Sequence, residues 1–178
     1  KLDLSELDGF FAFVYIDPQG EMKYCARDRF GVKPLFFYKR DDYISLSSEP
    51  NTLQKLFNLP VNDRAIEEYH AVRAPILSES FFSGIDEVAP ARCLIHGEYF
   101  NLLTYLDGKY EEFDLSQLKM AVEKGITTRQ VSDTPIGLLL SRGIDSNLLK
   151  ELGEFDKYYT IGFKGDDDLE YLRGQNID

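Results

Sequence analysis

An α+β first part followed by an α/β second part is the fold class that this 178-residue sequence predicts, and three observations carry it. Gly9 to Ile16 is a run with apolar residues at consecutive positions, and Glu21 to Ala26 returns after a short turn as a paired strand. Leu115, Leu118, Val122 and Ile126 fall at steps of three and four, the spacing of an amphipathic helix. Ile136 to Leu140, then Ser141 to Ser146, then Asn147-Leu148-Leu149 read as a strand, a tight polar loop and the first turn of a helix.

Taken in order, the run Gly9 to Ile16 is expected to be a strand buried on both faces. Asp17-Pro18-Gln19-Gly20 has the residues preferred at the first, second and fourth places of a type I turn. Pro34 to Tyr38 and Tyr43 to Ser47 form a second hairpin around Lys39-Arg40-Asp41-Asp42, and Ser48 is placed to cap a short helix through Phe57. The pattern weakens over residues 60–63, after which Arg64 to Val72 is helical. Asp114 caps the amphipathic helix that runs to Gln130, with core packing as the role of its apolar stripe.

The loop from Ser141 to Ser146 holds the chemistry. A helix N-terminus leaves its first N–H groups unpaired and carries a partial positive charge, so the loop that feeds it is an anion cradle. Phosphate is the obvious anion: Ser141 and Ser146 can hydrogen-bond its oxygens, Gly143 lets the backbone come close, and Asp145 can hold a magnesium ion bound to phosphates.

Composition bounds the rest. A hydrophobic fraction of 43% with 29% charged residues is globular, and 13 Phe with 11 Tyr supply packing area without tryptophan. A net charge of −11 argues against nucleic acid as a partner, because that binding neutralises phosphates with Lys and Arg. No apolar run is long enough for a membrane span and no signal peptide is visible, so a cytoplasmic protein without membrane insertion is expected. Cys25 and Cys93 are expected as small core residues, and His70 and His96 as isolated side chains without metal-ligand spacing. Asp166-Asp167-Asp168 reads as a solvated turn rather than a metal cluster.

The polar loop resembles the SGGxDS pyrophosphate loop of the ATP pyrophosphatases, and Ser132-Asp133-Thr134-Pro135-Ile136-Gly137 before it extends the likeness to the SDxPxGxLLSGGxDS signature of the asparagine synthetase family. One position departs: Arg142 stands where the family has glycine. A second region is similar to the closing segments of the same family's glutaminase domain, DGMFAF at Asp8 to Phe13, ARDxxGxKPLYY at Ala26 to Phe37, and ASE at Ser47 to Glu49. Residues 65–69 and 81–85 resemble the link between the family's domains, Cys93 to Tyr99 its return strand, and Tyr158 to Phe163 the second strand of its synthetase domain.

The resemblance implies an αββα sandwich of the N-terminal nucleophile glutaminase type over residues 1–62, a linking segment over 63–113, and the beginning of an ATP-pyrophosphatase domain over 114–178. It implies an enzyme that adenylates a carboxylate with ATP and Mg2+, releases pyrophosphate, and transfers to the acyl group ammonia drawn from glutamine. Aspartate is the default acceptor. Amidation of a uronic-acid sugar in surface-polysaccharide (lipopolysaccharide) synthesis stays open beside it, as does, from another class, a non-catalytic nucleotide-binding remnant. By position against the motif, Ser141, Arg142, Gly143, Ile144, Asp145 and Ser146 surround pyrophosphate, while Leu140 and Ile161 lie beside adenosine. Arg142 is expected to turn its guanidinium to the pyrophosphate, the alternative being a bridge to an acidic neighbour. The family's N-terminal catalytic cysteine is not among these residues, which open Lys1-Leu2-Asp3, and a sheet of two parallel strands is short of a full core, so the sequence is expected to be part of a longer chain. A homodimer is a possible assembly in this reading.

Overall fold

A computed structural model describes residues 2–76, 80–107, 112–165 and 167–174. The chain divides into two compact units, Lys1–Lys109 and Tyr110–Asp178.

The first unit is built on two antiparallel sheets. β1 (Ala12–Ile16) and β2 (Met22–Arg27) form a hairpin, and β3 (Phe36–Lys39) and β4 (Ile44–Ser47) form another. The first turn closes as its residues dictate: Gly20 N–H donates to the Asp17 carbonyl at 2.9 Å, the Asp17 carboxylate accepts from the Gln19 and Glu21 N–H groups, and Gly20 takes φ +86°. Helices α1 (Pro50–Phe57) and α2 (Asp63–Val72) follow, then the short strands β5 (Ile85–Glu87), β6 (Arg92–Cys93) and β7 (Gly97–Glu98) and the helix α3 (Leu102–Leu106). Sheet order is β1-β2-β6-β7 in one sheet and β4-β3-β5 in the other.

Strand alternation divides the side chains between faces. Ala12, Cys25, Phe37, Leu46 and Val88 meet between the two sheets, with Leu35, Met22 and Leu94. On the far side of the first sheet Phe11, Phe13, Ala26 and Cys93 pack with Leu4 and Leu7. On the far side of the second, α1 lays Leu53 and Phe57 over Tyr38 and Ile85. Leu53 is only 2% exposed, and cutting it to alanine would cost about 2–5 kcal/mol. This is a small α+β domain of packed antiparallel sheets with a helix on one outer face.

Two local expectations fail here for physical reasons. β1 is covered on both faces only at its start, where Ala12 packs between the sheets and Phe13 on the far side; Val14, Tyr15 and Ile16 are exposed, and among the described residues the strand pairs on one side, with β2. Ser48 does not cap α1. Glu49 occupies the cap position without a side-chain bond, because Pro50 at the first turn has no N–H to satisfy and a pre-set φ, while the Ser47 hydroxyl accepts from the Glu49 N–H at 3.0 Å.

The turn after β2 explains the residues Ala26 to Pro34. The Asp28 carboxylate is 1% exposed and accepts from the backbone N–H groups of Phe11, Phe30, Val32 and Lys33 at 3.0–3.3 Å. Arg27 clamps the other side, donating to the carbonyls of Lys33, Gly31 and Val88 at 2.7–2.8 Å and pairing with Glu87 at 2.9 Å. Gly31 adopts φ +65°, and a Cβ there would meet Pro90 at 2.8 Å, so only glycine fits. Each buried charge is thereby met by four hydrogen-bonding partners, the condition for keeping it folded.

In the second unit α4 (Leu115–Thr127) starts where expected, with Asp114 accepting from the Ser116 and Gln117 N–H groups. Its stripe is covered only at the C-terminal end. Leu115 and Leu118 are exposed, whereas Ile126 is buried close to Gly153, where a Cβ would come within 3.0 Å of its methyl. β8 (Gly137–Leu139), α5 (Ile144–Leu152) and β9 (Lys157–Tyr159) form a βαβ unit with the strands parallel, and α6 (Asp167–Arg173) follows. Leu138, Leu140 and Leu172 are its buried centre.

Candidate functional site

Directly after β8 comes Leu140, whose N–H donates to the Tyr159 carbonyl at 2.8 Å and whose own carbonyl accepts from the Thr160 hydroxyl at 2.8 Å. Those two bonds set the C-terminal edge of the parallel pair, the edge at which ligands bind in sheets of this kind. The chain then turns through Ser141 to Gly143 and enters α5 at Ile144.

The turn holds its own shape. Ser146 Oγ accepts from the Ser141 N–H at 3.1 Å, stands 3.1 Å from Ser141 Oγ, and lies 3.1 Å from the carbonyls of Ser141 and Gly143. Gly143 N–H donates to Ser141 Oγ at 3.1 Å. Asn147 donates from Nδ2 to the Ser141 and Gly143 carbonyls at 2.9 and 2.8 Å. The two serine hydroxyls thus fold the loop around themselves, and Asn147, not singled out in the sequence, completes it from one turn along α5. Its signal was the spacing of four from Gly143, which puts it over the loop's own carbonyls.

Gly143 has φ −63° and offers no side chain to cap α5, so the helix N-terminus carries its partial positive charge without a capping side chain. A Cβ at Gly143 would sit 3.1 Å from Ser141 Oγ; the glycine serves closeness, not an unusual φ. Arg142 is not among the residues of positive φ, so its backbone accepts arginine where the related motif has glycine. Its guanidinium takes the bridging alternative: Nη1 lies 3.7 Å from Asp167 Oδ2 of α6, and Cζ 5.8 Å from the Tyr171 ring centroid.

The remaining candidates separate by exposure. Ile144 and Asp145 stand exposed in the first turn of α5, and Ile161 is 88% exposed just past β9. Leu140 is 3% exposed with its side chain in the core, so only its backbone can face a ligand. Among the described residues no group of three or more His, Cys, Asp or Glu side chains could hold a metal. The exposed carboxylate of Asp145 suits a magnesium ion whose other ligands are phosphate oxygens and water. Asp166 and the side chain of Asp168 lie outside the described residues.

In the first unit both cysteines are fully buried, on adjacent strands and on opposite faces of the sheet. Burial, and to a lesser degree Cys93, push the Cys25 thiol up to about 11. Such a thiol is a poor nucleophile. His96 lies at the surface with Nε2 3.0 Å from the Lys23 carbonyl, against Tyr24. No helix among the described residues is long and apolar enough to cross a membrane.

Residues 2–105, more than half of the chain, match the family described as glutamine amidotransferase domain. The chain is similar to asparagine synthetase [glutamine-hydrolyzing] 1 of Bacillus subtilis, 25% identical over 179 residues covering 90% of this chain and 27% of that protein. It is similar to asparagine synthetase [glutamine-hydrolyzing] 3 of the same organism at 28% over 168 residues, covering 86% and 27%. The human asparagine synthetase [glutamine-hydrolyzing] is 28% identical over 167 residues, covering 87% and 30%. The chain therefore spans about a third or less of the length of these relatives.

Proposed function

We propose, for a chain that belongs to the glutamine amidotransferase domain family, that it is part of a glutamine-dependent, ATP-consuming amidotransferase of the asparagine synthetase kind, and that residues 114–178 begin its ATP-pyrophosphatase domain. The observation that carries this reading is the Ser141–Ser146 loop, folded by its own hydroxyls at the C-terminal edge of a parallel strand pair and opening onto the N-terminus of α5. An alignment covering 90% of this chain necessarily runs through that loop.

In the reaction so assigned, a carboxylate oxygen of the acceptor attacks the α-phosphorus of ATP, the bond from that phosphorus to the bridging oxygen breaks, and pyrophosphate departs. Ammonia released from glutamine then attacks the acyl carbon, a proton leaves nitrogen and AMP leaves carbon, giving the amide. The first N–H groups of α5 orient the pyrophosphate by pointing at it. Ser141, Ser146 and Asn147 act one step back, holding the loop in the shape that aims them. Asp145 would hold Mg2+, and the ion would supply positive charge against the departing pyrophosphate. The exposed Ile161 and the backbone of Leu140 border the adenosine side.

Aspartate is the acceptor we assign, after the names of the relatives. The test is acceptor-dependent formation of AMP and pyrophosphate from ATP by the full-length protein, with glutamine or ammonia supplied. Aspartate-dependent turnover supports the assignment. Turnover only with a uronic-acid sugar moves the acceptor, and nucleotide binding without turnover identifies a non-catalytic binding protein.

A further inference from the structure

Leu172 of α6 is buried beside Leu138 and Leu140, which seats α6 against the strand that feeds the Ser141–Ser146 loop. Asp167 and Tyr171, four residues apart and so on one face of α6, meet Arg142 of that loop. The ion pair is loose: its contact is 3.7 Å, the Arg142 side chain is 51% exposed and that of Asp167 85% exposed. Water screens such a pair and side-chain entropy opposes it. Arginine, by contrast, stays charged at every accessible pH and offers a rigid fork that fits phosphate oxygens two at a time. Arg142 therefore has a weak carboxylate partner on α6 and, beside its own backbone, the positive end of α5 to which an anion is drawn.

We propose that Asp167 and the pyrophosphate group of the nucleotide compete for Arg142, so that α6 restrains the arginine and nucleotide binding releases it. The proposal rests on the reading of the loop as a pyrophosphate site and goes beyond it by assigning Asp167 as a regulatory residue and Arg142 as the group that changes partners. Tyr171 keeps the guanidinium close to the loop by its ring face when the carboxylate contact is given up.

The test is calorimetric titration of the purified protein with inorganic pyrophosphate and Mg2+, on the parent, Asp167→Asn, Arg142→Ala and the double variant. Asp167→Asn should tighten binding about two- to fivefold, the range set by an exposed ion pair, and should change nothing when Arg142 is already alanine. Equal tightening in both backgrounds would show that Asp167 acts through its charge alone and would overturn the exchange. Binding by the parent that Asp167→Asn leaves unchanged or weakens overturns it as well, with the pyrophosphate site intact. Binding by Asp167→Asn but not by the parent supports it, and binding by none of the four proteins overturns the site and the exchange together.

Discussion

Ser141 and Ser146 place their hydroxyl oxygens 3.1 Å apart across the turn between β8 and α5, and that contact closes the loop. Ser146 is the more deeply committed of the two, with backbone partners at Ser141 and Gly143. Ser146→Ala is expected to weaken binding of Mg-ATP by roughly tenfold, since about 1–1.5 kcal/mol of loop hydrogen bonding is lost. Titration calorimetry beside a melting curve checks it. Unchanged affinity would show that the hydroxyl does not shape a nucleotide site.

A second expectation concerns acid. Burial alone would raise the Asp28 carboxyl, but the N–H groups of Lys33, Val32, Phe30 and Phe11 outweigh it and hold the group below the usual carboxylate range. A carboxyl depressed in the folded state contributes stability that is complete above its unfolded value, about 3.9, and is lost as pH falls through the folded value. The first unit should therefore lose stability below about pH 4, and Asp28→Asn should lower its stability by about 2–4 kcal/mol at neutral pH and flatten that acid limb. Urea melts of parent and variant from pH 3 to 7 measure both effects; parallel curves would contradict the role given to Asp28.

The two thiols should be inert in the native state. Cys25 is buried and its thiol is pushed up to about 11, so iodoacetamide at pH 8 should modify neither it nor Cys93 until denaturant is added. Mass spectrometry of the intact protein reads the adducts. Rapid native labelling of Cys25 would mean that the sheet pair opens around it.

Much of this is legible in the sequence because it is local. The turn at Asp17 to Gly20, the cap at Asp114 and the strand–loop–helix order around Ser141 follow from residues within a few positions of one another. What is not legible is long-range. Val14 to Ile16 carry the apolar signal of a buried strand yet are exposed, and Leu115 and Leu118 keep helical spacing while exposed, because periodicity states which face is apolar and not what will cover it. The partners of Arg142 depend on α6 folding back onto Leu138 and Leu140, some thirty residues on, which the loop sequence does not encode. Asp28 and Arg27 are explained only when the N–H and carbonyl groups of Phe11 and Val88 come to them.

Arg142→Ala is expected to weaken nucleotide binding by about tenfold or more, the loss of one charge-assisted bond worth about 1.5–3 kcal/mol. Arg142→Gly should not restore it, because the backbone here does not need positive φ. Tighter binding by the glycine variant, measured in the same titration, would show that arginine obstructs the loop.

The most direct test of the account is the binding of inorganic pyrophosphate with Mg2+ to the parent and to Asp145→Asn, read by calorimetry with thermal melting alongside. Asp145 is exposed in the first turn of α5, so its charge should matter to a phosphate-bound ion and little to folding. The account predicts that the parent binds and that the variant binds at least about tenfold more weakly at an unchanged melting temperature. Equal affinity in the two proteins, or no binding by the parent, would contradict it.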